Sequence, residues 1–129
     1  MSRKLSAEER AALKETLKDS GGADAVLAKI AAMPEDDRAL AERVYAIVMK
    51  TAPDLQPRTW YGMPAWSKAG KVVCFFQNAA KFKSRYATLG FSDKAKLDDG
   101  NMWPISYALT KLTPAVEKQI AELVRQAVS

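Results

Sequence analysis

The aromatic residues of this chain are segregated, and that segregation limits what it can fold into more than any other feature. Ten of its eleven Phe, Trp and Tyr residues fall between positions 57 and 110, where apolar and polar residues alternate with a period of two in several stretches. Alternation of that kind puts successive side chains on opposite faces of a strand. On either side of this region the apolar residues recur at helical spacing instead. The chain has 129 residues, which is the length of one domain. Helices, then strands, then a helix within one domain imply an α+β fold: an antiparallel sheet of about four to five strands packed against N-terminal and C-terminal helices.

The helical boundaries are written in local signals. Ser6 and Glu9 have capping-box spacing, so a helix is expected over Ser6–Ser20, ending at Gly21-Gly22. Its apolar stripe is thin, which makes residues 1–22 an accessory helix beside a core domain of residues 23–129. Val26, Leu27, Ile30 and Met33 mark a second helix that Pro34 closes. A third, from about Glu35 to Ala52, lines up Leu40, Val44, Ile47, Val48 and Thr51. Thr113-Pro114 is an N-cap followed by a proline suited to the first helical position, and Val116, Ile120, Leu123, Val124 and Ala127 supply the stripe of a C-terminal helix.

Between them, strands are expected near Arg58–Tyr61, Ala65–Ser67, Lys71–Gln77, Lys81–Leu89 and Trp103–Leu109, with a helical turn over Ser92–Leu97. Lys68-Ala69-Gly70 and Gln77-Asn78-Ala79-Ala80 are short enough for hairpin loops. Lys71–Gln77 carries Val73 and Phe75 on one face and Val72, Cys74 and Phe76 on the other, so the strand should be central. Helices on one side of the sheet leave its other face to loops, a bound apolar ligand or a second copy of the chain. Trp60, Tyr61, Met63, Trp66, Phe75, Trp103 and Tyr107 are the residues that would line a ligand pocket there. Gly62 and Pro64 make Tyr61–Trp66 a bent connection, either a structural corner or a means of presenting Tyr61, Met63 and Trp66 at a pocket mouth.

Composition removes whole classes of chemistry. The chain has no His, which excludes Ser-His-Asp and Cys-His catalysis and His-ligated zinc. Its single Cys74 lies among Val73 and Phe75, where a buried thiol is inert. With no phosphate-binding glycine loop and no paired-carboxylate motif, a non-enzymatic role is expected. The N-terminus is charged and lacks a signal-peptide core, and the longest apolar run is Val44–Met49, so a cytoplasmic protein with no membrane partner is expected.

Charge is uneven. Residues 58–96 hold eight Lys or Arg against Asp93 alone, while residues 1–57 and 97–129 are each net −1. Alternation over Lys81–Tyr86 would set Lys81, Lys83 and Arg85 in a row, with Arg58 on a neighbouring strand beside Trp60. Such a row is a solvated face or a surface for anions and nucleic acid.

Trp60-Tyr-Gly-Met-Pro-Ala-Trp66, followed by Gly70-Lys71 and a Val/Phe-rich strand, resembles the signature of the bacterial YdhG-like family, a family of unknown function. The two preceding helices, the segment Trp103-Pro104-Ile105 and the closing amphipathic helix match in order, so the resemblance runs from about Ala23 to the C-terminus. It implies an antiparallel sheet backed by helices. One branch of the family is a frataxin-like intracellular iron chaperone, so iron is the ligand the resemblance brings in, although composition itself calls for no cofactor. Iron held without His or paired thiolates needs carboxylates. Glu35, Asp36 and Asp37 at one helix start, and Asp93, Asp98 and Asp99 in one loop region, are the groups available. A small ligand or iron over the sheet, an anion on the basic row, and a homodimer through the second sheet face are the roles that follow.

Overall fold

The computed structural model describes residues 22–129. The expected helix at Ser6–Ser20 lies outside the described residues. Helices α1 (Ala23–Ala31) and α2 (Glu35–Thr51) lead into strands β1 (Gln56–Trp60), β2 (Met63–Lys68), β3 (Lys71–Gln77), β4 (Ala87–Phe91) and β5 (Ser106–Leu109), and helix α3 (Pro114–Ala127) closes the chain. The strands form one antiparallel meander in the order β1-β2-β3-β4-β5, so β3 is central as expected. The protein has an α+β fold, with helices from before and after the sheet packed against it.

Both tight hairpins follow from turn chemistry. Tyr61 and Gly62 have φ of 50° and 73°, Ala69 and Gly70 have 52° and 79°, and each pair links two adjacent strands. Left-handed backbone at both central positions matches the right-handed twist of the flanking strands. The Gly62 corner is therefore the tip of the β1–β2 hairpin, and Pro64 lies inside β2 opposite Thr59. Pairing of β2 with β3 begins only at Ala65. Pro64 thus sits where its missing N–H withdraws nothing from the ladder.

One face of the sheet carries Trp66, Cys74, Phe76, Leu89, Phe91 and Leu109, and all of them join a single buried cluster with Val26 and Ile30 of α1, Val44 and Val48 of α2, and Ile120 and Val124 of α3. Thr113 Oγ1 accepts a hydrogen bond from Val116 N at 3.2 Å, the expected cap of α3, with Pro114 in its first turn. None of the described helices is long and apolar enough to cross a membrane.

Three strand expectations need correcting. Trp66 pairs with Cys74 but Ser67 with Val72, so Val73 is the extra residue of a β-bulge. It packs into the helix-side cluster instead of sharing a face with Phe75. The segment Lys81–Tyr86 is not strand: Ala80–Phe82 forms a 3₁₀ turn, Lys83 is left-handed at φ 53°, and β4 starts at Ala87. The cause lies far away in sequence, because the buried Asp37 carboxylate accepts hydrogen bonds from the backbone N–H groups of Ala79 and Ala80, both at 3.0 Å, and fixes the turn there. Finally, the last strand is Ser106–Leu109, preceded by the irregular Trp103-Pro104-Ile105, since Pro104 has no N–H for a ladder.

Candidate functional site

The 14 or so residues between β4 and β5 form a shaped loop held at both ends. At its start Ser92 N donates to Val73 O at 2.9 Å, the Ser92 hydroxyl donates to Val72 O, and Ala95 N closes a turn on Ser92 O at 3.1 Å. Lys96 N donates to Ala127 O at 3.0 Å, and at the far end Phe91 N donates to Ile105 O at 2.8 Å. Ala95 and Leu97 are buried in the core. Where a helical turn was expected over Ser92–Leu97, the chain instead makes a single non-helical turn at Asp93-Lys94, anchored to β3 and α3.

That anchoring shapes a cleft of about 410 Å³, lined by Ser92, Asp93, Ala95, Asp98, Asn101, Met102, Trp103 and Ile105. Trp103 is half-buried against the core, whereas Met102 is 89% exposed and Ile105 49%. Gly100 at φ 67° turns the chain between Asp98 and Met102. An indole, two exposed apolar side chains and two carboxylates around one concavity suit a cation with an apolar body: the ring face attracts positive charge and the carboxylates complement it.

The remaining aromatic residues expected to line one pocket are dispersed. Trp66 is fully buried in the helix-side core, 6.2 Å from the Tyr45 ring, and does not line the cleft. Trp60 and Phe75 stack at 5.3 Å on the opposite face of the sheet, with Tyr61 edge-on to Trp60 at 4.9 Å and Met63 buried beside them in register. Tyr107 meets Phe91 edge-to-face at 6.1 Å on the helix side. Only Trp103 reaches the cleft. Strand register explains this dispersal: residues of both parities were grouped because they are aromatic, and the pleat sends them to opposite faces.

The basic row is likewise broken up. Arg58 Nε donates to Thr59 O at 3.4 Å on β1, and Lys81 Nζ donates to Tyr61 O at 2.9 Å across the hairpin tip. Lys83 sits in the left-handed turn, and Arg85 lies 5.2 Å over the Tyr86 ring and lines a separate cavity of about 470 Å³. The carboxylates are divided as well. Asp36 and Asp37 both line the 470 Å³ cavity, where Asp37 is committed to the 3₁₀ turn, Glu35 and Asp99 are exposed, and Asp93 and Asp98 share the cleft beside Trp103. Among the described residues no three His, Cys, Asp or Glu side chains lie close enough to hold a metal ion.

Cys74 is fully buried, and burial pushes its thiol up to about 12 from 9.0. It stays protonated at neutral pH, and a protonated thiol is a poor nucleophile. Sequence reasoning missed the capping role of Asp37 and the ion pair of Arg43 with Glu117, whose partners are 74 residues apart; no local pattern announces either. No family model, curated protein or solved structure matches this chain.

Proposed function

We propose that this chain is a YdhG-like, non-enzymatic binding domain whose ligand is a small organic cation held in the cleft between β4 and β5. The observation that carries the proposal is the convergence of Trp103 with Asp93 and Asp98 around one concavity floored by Ala95 and flanked by Met102 and Ile105. A diffuse cation such as a substituted ammonium gains from the indole face and sheds little hydration there, while a compact metal ion would find too few oxygen ligands. The protonated, enclosed Cys74 and the absence of His support a binding role over covalent chemistry. The YdhG-like assignment is supported by the Trp60–Trp66 motif, whose Tyr61-Gly62 pair forms the tip of a tight hairpin.

Titration with benzyltrimethylammonium, followed by amide chemical shifts, tests the reading. Saturable shifts confined to residues 92–105 are expected. Trp103→Ala and Asp98→Asn should each weaken binding by on the order of tenfold, the scale of one desolvated cation–π or charge contact. Shifts that stay linear with concentration, or that both variants leave unchanged, would overturn it.

A further inference from the structure

A second site lies between α2 and α3, on charges that the sequence places in two distant segments. Arg43 of α2 and Glu117 of α3 form a two-pronged ion pair, Nη2 to Oε1 at 2.6 Å and Nε to Oε2 at 3.2 Å. The pair forms part of the lining of two cavities, the one containing Arg85 and Lys111 and a groove of about 460 Å³ along the helices. In that groove Arg43, Lys50, Lys118 and Arg125 surround a floor of Ile47 and Ala121, and among the described residues Glu117 is the only carboxylate lining it. Glu117 is already engaged by Arg43, which holds its carboxyl below the usual carboxylate range. Among the described residues no ion pair or hydrogen bond engages the Lys50, Lys118 or Arg125 side chains.

Lys50 and Arg125 occupy the last turns of their helices, where positive charge offsets the dipole. That explains neither Lys118 near the start of α3 nor a concavity that gathers all four cations. Like charges so placed raise the local potential and favour a bound anion. Phosphate oxygens suit this set: the Arg125 guanidinium offers a planar fork, Lys50 and Lys118 offer point charges, and Arg43 is oriented by Glu117 with N–H groups left over.

We propose that the α2–α3 groove binds a small polyphosphate anion. Its volume is that of a small-molecule site. Among the described residues no aromatic ring lines it, so they offer no stacking platform of the kind a single-stranded nucleic acid would use. The groove is independent of the cation cleft in both position and charge.

Calorimetric titration of the full chain with inorganic tripolyphosphate, at low and at moderate salt, tests the proposal. Saturable 1:1 binding that weakens with salt is expected. The double variant Lys118→Glu/Arg125→Glu should lose affinity by on the order of tenfold or more. Lys96→Glu, an exposed change outside the groove, should leave affinity unchanged once circular dichroism shows both variants folded. No saturable heat at low salt, equal weakening by Lys96→Glu, or an unchanged double variant would each overturn the proposal. Tighter binding of an oligothymidylate, abolished by the same double variant, would overturn it in favour of a nucleic-acid strand.

Discussion

The two faces of the sheet are built from the same alternating strands, yet they are completed in different ways. On the helix side Trp66, Cys74, Phe91 and Leu89 are joined by apolar residues from all three described helices, and the cluster is closed by tertiary packing. On the other side the register row Arg58–Ala65–Phe75–Gly90–Ser106 runs across all five strands, and within it an aromatic ring of one strand covers a glycine of the next. There the Phe75 ring lies over Gly90 so closely that a Cβ at that position would overlap it. Aromatic residues on the first face depend on distant helices, and those on the second depend on a missing side chain in the neighbouring strand.

Four measurements would break or sharpen this contrast. The largest effect is expected from Trp66→Ala, which should cost about 3–5 kcal/mol in denaturant unfolding because it empties the middle of the helix-side core. Trp60→Ala, at the half-buried stack on the other face, should cost clearly less; equal costs would erase the distinction between the faces. Gly90→Ala should destabilise by about 1–3 kcal/mol through displacement of the Phe75 ring. Combined with Phe75→Ala the cost should be markedly less than additive, whereas simple additivity would show that the ring does not depend on Gly90.

The third measurement concerns the closed face through Cys74. Its folded pKa of about 12 lies above the 9.0 of an accessible thiol, so above pH 9 the unfolded chain releases a proton that the folded chain keeps. That contribution is complete below about pH 9 and is lost as the pH rises toward 12, at about 1.4 kcal/mol per pH unit. Stability of the parent should therefore fall more steeply than that of Cys74→Ala between pH 9 and 10.5, and parallel slopes would mean that the thiol is not enclosed. The smallest effect is expected for Met102→Ser at the cleft rim. With the side chain 89% exposed, the change should move stability by less than about 0.5 kcal/mol while lowering affinity for the cationic probe.

Where structure follows from neighbours in sequence, it was legible. Thr113-Pro114 opens α3, Lys68-Ala69-Gly70 ends in a left-handed pair at a hairpin, and the two-sided apolar run Lys71–Gln77 is the central strand. Lys81–Tyr86 looked like a strand because its charges alternate, but alternation is permissive. A carboxylate on α2, more than 40 residues earlier, takes the N–H groups of Ala79 and Ala80 and imposes a turn. The cleft was only half legible: Trp103, Asp93 and Asp98 were all singled out, but for different reasons, and the loop that joins them is shaped by bonds to Val72, Val73 and Ala127.

By itself the sequence determined the fold class, the order of elements, the hairpin at Lys68-Ala69-Gly70 and the exclusion of histidine chemistry, since each depends on residue type or on spacing over a few positions; the hairpin at Tyr61-Gly62 was legible only as a bend, and Gln77–Ala80, expected as a hairpin loop, opens a longer connection to Ala87. Only the tertiary structure decided where charge and aromaticity accumulate. Summed along the chain, the positive excess sits in residues 58–96 and both flanking regions are slightly acidic. Summed in space, four cations from those acidic regions meet across one groove while the expected row of Lys81, Lys83 and Arg85 comes apart. Electrostatic energy depends on separation in space, and α2 is brought beside α3 by the buried faces of the two helices together with the Arg43–Glu117 pair, whose partners are 74 residues apart.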